Sequence, residues 1–263
     1  MNDHLSLPNL PLSLPTDLSV GGAGSRRYRP HADVEIRCLA TVDEFARCVE
    51  LQRAIWQWAD IDLMPVRLFV LVQHVGGLVL GAHDADDLVG FVSCIPGVHE
   101  GSAYWHSHMM GVLPAYENRG IGTALKLAQR QHALRRQVSS IQWVFDPLVA
   151  KNAYLNIAKL GAIVRRYSIN HYGASTSPLH AGIDSDRLVA EWRLDCLRTR
   201  FDGETRTIAV PADIRELKRA DVRAVRSIQL SVRERFLRHL ADGFVVVGCE
   251  RHPDHSQYIF RRP

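Results

Sequence analysis

The 263 residues suffice for one large domain, or for one domain with an extension, and for a substantial buried core. With 46% hydrophobic and 23% charged residues, the composition excludes wholesale disorder and fibrous repeats. The net charge of +4 rests on 32 basic residues, of which only Lys126, Lys151, Lys159 and Lys218 are lysine; codon bias explains that arginine excess better than a demand for forked phosphate or carboxylate contacts does.

Residues 1–32 read as a Pro/Leu/Ser/Gly tail without the basic start and apolar stretch of an export signal. Val34 to Leu39 reads as a strand, and Asp43 opens a helix with Phe45, Val49, Ile55 and Trp56 on one stripe. Pro65 starts a second helix, Val66 to His74, closed by Gly76 and Gly77. Leu78 to Ala82 and Leu88 to Ile95 form a hairpin around the turn from Asp84 to Asp87, and Tyr104 to Val112 is a third long strand. A helix from Arg119 or Gly120 to Arg136 leads to strand Ile141 to Phe145, then to a helix from Ala150 to Leu160 capped by Gly161. Ile163 to Tyr167 and Leu188 to Leu194 add strands around a Ser/Thr/Pro/Gly loop. The expected fold class is α/β, a mixed and mostly antiparallel sheet flanked by helices.

The remaining residues, 196–263, read as a basic α/β extension of a domain spanning 33–195. Asp213 to Leu240 holds eight basic and four acidic side chains; it reads as one amphipathic helix with Leu217, Val225, Ile228, Val232 and Leu240 inward and the arginines outward. Strands Phe244 to Cys249 and Gln257 to Arg261 follow. No helix-turn-helix, zinc finger or aromatic platform accompanies the basic surplus, so no nucleic acid is expected as a partner. Cys38, Cys48, Cys94, Cys196 and Cys249 are odd in number and contain no C-x-x-C pair, which fits a reducing cytoplasm. Apolar runs of about five residues fall far short of a membrane span.

The stretch from Met109 to Leu125 is the most informative. A strand ends at Val112, Pro114 stops it, and a polar turn passes through Arg119, Gly120, Ile121 and Gly122 into a helix. Glycines at a helix head let a ligand approach the backbone, whose free N–H groups and dipole favour anionic oxygens. A dinucleotide fingerprint would need a third glycine where Leu125 stands, and a triphosphate loop would need Gly-Lys-Ser/Thr where Gly122 is followed by Thr123 and Ala124. A pyrophosphate cradle and a plain glycine turn both stay open on these residues alone.

Val112-x-Pro114-x-Tyr116-x-x-Arg119-Gly120-Ile121-Gly122-x-Ala124-Leu125 resembles the acyl-CoA-binding motif of the Gcn5-related N-acetyltransferase (GNAT) superfamily. The run from Asn152 to Ala162, with Lys159-Leu160-Gly161, resembles its second motif, about 40 residues on. His106 to Met109, Asp146 to Leu148 and Ser185 to Arg187 are similar to a bacterial subgroup of predicted acyltransferases. The resemblance implies acetyl-CoA or another acyl-CoA as co-substrate, a small-molecule amine acceptor, and two splayed strands with pantetheine between them. Met110, Gly111 and Val112 would then face the thioester, and Asn118, Arg119, Gly120, Ile121, Gly122, Thr123 and Ala124 the pyrophosphate. Asn152 would bind cofactor or cap backbone.

Two positions depart from the pattern: Glu117 stands where Gln or Arg is common, and Ile157 where the family's acid tyrosine usually lies. Tyr154, one helical turn earlier, is the alternative acid. His106 and His108 alternate along a strand and so share a face, which makes them candidate proton acceptors; Asp146 is a candidate for orienting a base or the acceptor. The H-x-H pair lacks a third ligand at recognisable spacing, so no metal is expected. The acyl group is expected to be acetyl, with succinyl on amino acids as a narrower alternative. A non-catalytic acyl-CoA-binding protein and a homodimer are both compatible with these residues.

Overall fold

The computed structural model describes residues 34–99, 101–173, 182–195, 201 and 203–263. The expected tail and Cys196 lie outside the described residues.

The first half follows the punctuation of the sequence. Strand β1 (Val34–Cys38) leads to α1 (Val42–Trp56), where Thr41 and Glu44 form a reciprocal capping box that satisfies otherwise unpaired N–H groups. Pro65 precedes α2 (Val66–His74), and Gly76 turns the chain at φ 83° into β2 (Leu78–Asp84). Next come β3 (Asp87–His99), β4 (Ser102–Val112), α3 (Ile121–Arg135) and β5 (Ser140–Phe145).

Two helical expectations are corrected. The run from Ala150 is α-helical only for α4 (Ala150–Ala153) and widens to a π-helix over Tyr154–Lys159, with Leu160 N–H reaching back to Leu155 C=O. The basic run after Asp213 is two helices, α5 (Ile214–Ala220) and α6 (Val222–Ala241). Asp221, held extended at φ −151°, ends the first, and its carboxylate accepts from Ala224 N–H to start the second. Strands β6 (Ile163–Ser168) and β7 (Arg187–Arg193) precede these helices, together with β8 (Thr205–Pro211), a strand not expected from the sequence. Strands β9 (Val245–Arg251) and β10 (His255–Arg261) end the chain.

Among the described residues the strands form one sheet in the order β1-β2-β3-β4-β5-β7-β6-β9-β10-β8, antiparallel except for the β4/β5 pair. Helices α1 and α2 cover one face through Phe45, Phe69 and Phe91. Helices α3 and α4 cover the other, with Leu125, Ala128, Ala153 and Ile157 in a core continuous with Phe236 and Tyr258. The C-terminal strands thus extend the same sheet: β9 meets β6 at Val164 and Val246, and the Tyr258 hydroxyl donates to Pro147 C=O at 2.7 Å.

Candidate active site

The site is built where β4 and β5 part. These strands pair only at Trp105 with Ile141 and at His106 with Gln142. Against β3, Ser93 faces Met109 while Cys94 faces Ser107, so His108 is the extra residue of a β-bulge. The bulge bends β4 away from β5. Leu113 N–H bonds to Val89 C=O at 2.9 Å, so the alternation of an antiparallel ladder turns the amide and carbonyl groups of Met110 and Val112 away from β3, toward the gap. A slot lined by backbone polar groups results, and an extended amide-bearing ligand would satisfy them.

At the mouth of the slot a short 3₁₀ turn, Pro114–Tyr116, leads through Asn118 (φ 63°) and Gly120 (φ 84°) into α3. Thr123 and Ala124 N–H bond to Gly120 C=O, and the amides of Ile121 and Gly122 have no acceptor among the described residues. A Cβ on Gly122 would come no nearer than 3.6 Å to Met110 Cε and 3.9 Å to Leu155 Cδ2, so this glycine borders open space between β4, α3 and the π-helix. Glu117 does not confront an anion alone: Lys151 Nζ lies 2.7 Å and Arg215 Nη1 3.7 Å from its carboxylate. The Arg119 guanidinium stacks on Tyr116 at 4.8 Å, and the Tyr116 hydroxyl donates to Asp84.

His106 and His108 are brought together, ring centroids 6.1 Å apart, both partly buried. Burial, then the neighbouring His108, Lys126 and His171, push the His106 imidazole down to about 4; burial lowers His108 as well. Both rings are therefore neutral at pH 7, able to accept a proton. His171 enters from the turn after β6, packed edge-on against Tyr172 at 4.5 Å.

The other candidates lie elsewhere. Asp146 caps its own turn, accepting from Leu148 N–H at 2.8 Å. The Tyr154 ring is flanked by Arg251 at 5.4 Å and Lys159 at 5.8 Å, while its neighbour Leu155 faces Gly122. Asn152 follows Lys151, so the start of α4 sits beside the glycine turn. Among the described residues no group of three His, Cys, Asp or Glu side chains could hold a metal.

Residues 40–156 match the model of the acetyltransferase (GNAT) family. This part of the chain is similar to a GNAT acetyltransferase domain. The matched family is one of acetyltransferases. No curated protein matches the chain. Similar solved structures include the ribosomal-protein-S18-alanine N-acetyltransferase from Escherichia coli, at 18% identity and TM-score 0.48 over 62% of this chain and 95% of that one. A GNAT acetyltransferase from Elizabethkingia anophelis with acetyl-CoA bound aligns at 12% identity and TM-score 0.45, over 62% and 99% of the two chains.

The matched segment also holds a buried polar cluster not anticipated from the sequence. Lys126 of α3 is 1% exposed; its ammonium donates to Ser107 Oγ at 2.7 Å and Gln129 Oε1 at 3.3 Å, and lies 3.8 Å from the centre of the Trp143 ring. Gln129 Nε2 also donates to Ser107 Oγ, at 3.1 Å. Gly122, Lys126, Gln129 and Ala133 share one helical stripe, the pattern that could have revealed an inward lysine. Burial pushes Lys126 down to about 7. The unfolded chain keeps a normal lysine, so it binds more protons than the folded one between about pH 7 and 10.5. This group therefore makes the fold more stable as pH rises through that window. Urea unfolding from pH 7 to 10 should show that rise in the wild type and a flatter profile in Lys126→Met; equal slopes would contradict it.

A second cluster lies outside the residues matched by the family model. Arg233 of α6 donates to both oxygens of Asp186, at 2.8 and 2.9 Å, and to Asp184 at 2.7 Å. The Asp186 carboxylate, with no exposed surface, also accepts from the Tyr167 hydroxyl and Asn170 N–H. Gln229 and Arg226 bond the carbonyls of Asp184 and Gly182. Not all the α6 arginines point to solvent, as the amphipathic pattern suggests: Arg233 anchors the chain on both sides of β6–β7 beside His171.

Proposed function

We propose that this chain transfers an acyl group, acetyl in the first instance, from acyl-CoA to a primary amine of a small molecule or an amino acid. The observation that carries the reading is the slot between β4 and β5, where Met110 and Val112 turn backbone groups toward a gap that ends at the helix-head amides of the glycine turn. Those amides, Ile121 and Gly122 first among them, suit a diphosphate, and Lys151 and Arg215 offset the charge of Glu117 beside it. Succinyl transfer to amino acids is the narrower variant, and the cytoplasm the proposed compartment.

The amine nitrogen attacks the thioester carbonyl directly. A C–N bond forms, and the amide of Met110 or Val112, turned toward the gap, stabilises the oxyanion. His106 or His108 accepts the proton lost by the amine, directly or through water. The C–S bond then breaks, and the sulfur leaves with its electron pair and takes up a proton from the imidazolium so formed or from water. No covalent enzyme intermediate is required. This reading gives no step to Asp146, which caps its own turn, or to Tyr154, whose ring lies between Arg251 and Lys159.

Ile157, fully buried where the family's tyrosine usually stands, favours a second reading, a non-catalytic acyl-CoA-binding protein. Thiol release from acetyl- and succinyl-CoA across amino acids and polyamines separates the two. Turnover with at least one amine supports the transferase; ligand-induced stabilisation by acetyl-CoA without turnover across the panel supports the binder. With an active amine in hand, His106→Ala should lower kcat by about 10²-fold or more. The acid limb assigned to His106 should fall near pH 4, where the ring gains its proton, and not near 6.5. An unchanged kcat in His106→Ala would remove His106 from the mechanism.

A further inference from the structure

Lys126 occupies a particular place in the sheet. The last hydrogen-bonded pair between β4 and β5 is His106 with Gln142, and the next residue on each strand is Ser107 and Trp143. Lys126 reaches from α3 to both: its ammonium bonds the Ser107 hydroxyl at 2.7 Å and lies over the Trp143 ring at 3.8 Å. We propose that Lys126 is a positioning residue, a buried wedge at the fork that holds β4 and β5 apart and sets α3 against the bulge, so that the slot is open before acyl-CoA arrives. The inference rests on the acyl-CoA reading of that slot and deepens it.

Three features argue for the wedge. A fully buried ammonium with no carboxylate beside it among the described residues is costly, and replacing such a charge by a packed apolar side chain is commonly neutral or stabilising. The cluster is therefore poorly explained by stability. Its contacts fall on the two residues just past the last strand pair. It also joins the same helix whose head forms the glycine turn, since Gly122 lies one turn before Lys126 on the stripe that faces β4. One side chain thus links the end of strand pairing, the bulge beside His108 and the helix that presents the amides. Gln129 completes the arrangement by donating to the same Ser107 oxygen.

The test is Lys126→Met, which keeps the length of the side chain and removes the charge. Wild-type and variant proteins are titrated with CoA by calorimetry, and their thermal unfolding is recorded without ligand. The expected result is a variant whose Tm is equal to or above that of the wild type and whose Kd for CoA is at least tenfold weaker. Ser107→Ala, which cuts the bond on the β4 side, should weaken CoA in the same direction, and it keeps the test decisive if Lys126→Met does not fold. A Lys126→Met protein that is folded and binds CoA like the wild type overturns the wedge and leaves the slot standing. If Lys126→Met does not fold, wild-type affinity in Ser107→Ala overturns it. A wild type that does not bind CoA removes both readings.

Discussion

Arg233→Met should destabilise the protein by about 3–5 kcal/mol, the loss typical of breaking a buried ion pair from one side. Asp186 has no exposed side-chain surface, and Arg233 supplies the cation that satisfies both of its oxygens. Without that cation the carboxylate keeps Tyr167 and Asn170 as donors but remains a buried charge. Asp186→Asn in the Arg233→Met background should recover part of the loss, because a neutral amide oxygen still accepts from Tyr167. Urea unfolding of the three proteins provides the measurement; a loss below about 1 kcal/mol in Arg233→Met would show that the pair contributes little.

Gly122→Asp should abolish acyl-CoA binding while leaving the fold intact. The space around a Cβ at this position is adequate, with Met110 and Leu155 at ordinary contact distance. An acidic residue in the first turn of α3 interacts favourably with the helix dipole, by roughly 0.3–1 kcal/mol. The same carboxylate would stand among the amides proposed to hold a diphosphate and would repel it. The expected result is an unchanged or slightly raised Tm without ligand and a Kd for acetyl-CoA weakened by about 100-fold or more. Unchanged binding would move the diphosphate away from the head of α3.

The glycine turn is legible in the sequence because its chemistry is local. Pro114, Gly120 and Gly122 mark the end of a strand and the head of a helix whatever surrounds them, and Gly120 does adopt a positive φ of 84°. The start of α2 after Pro65 and the turn at Gly76 are readable for the same reason. The bulge is not. Trp105, His106, Ser107 and His108 alternate as in an unbroken strand, and His108 becomes an extra residue only through its register with Ser93 and Cys94 on β3. The two histidines still share a neighbourhood, with Met109 turned toward the α1 and α2 face and Met110 toward α3.

Lys126 is disguised by its residue type, since a lysine in a helix is ordinarily a solvated side chain, and only its stripe with Gly122, Gln129 and Ala133 marks it as inward. Arg233 is hidden among other arginines; its role depends on Asp184 and Asp186, almost 50 residues earlier. The break at Asp221 has a local mark, an aspartate that caps α6, but the apolar stripe running on through both helices masks it.

The most direct test of the slot is a crystal structure of the protein with CoA. Pantetheine is expected extended between β4 and β5 past Met110 and Val112, with the diphosphate on the amides of Ile121 and Gly122 at the head of α3. CoA bound elsewhere, with β4 and β5 closed on each other beyond His106 and Gln142, would contradict it.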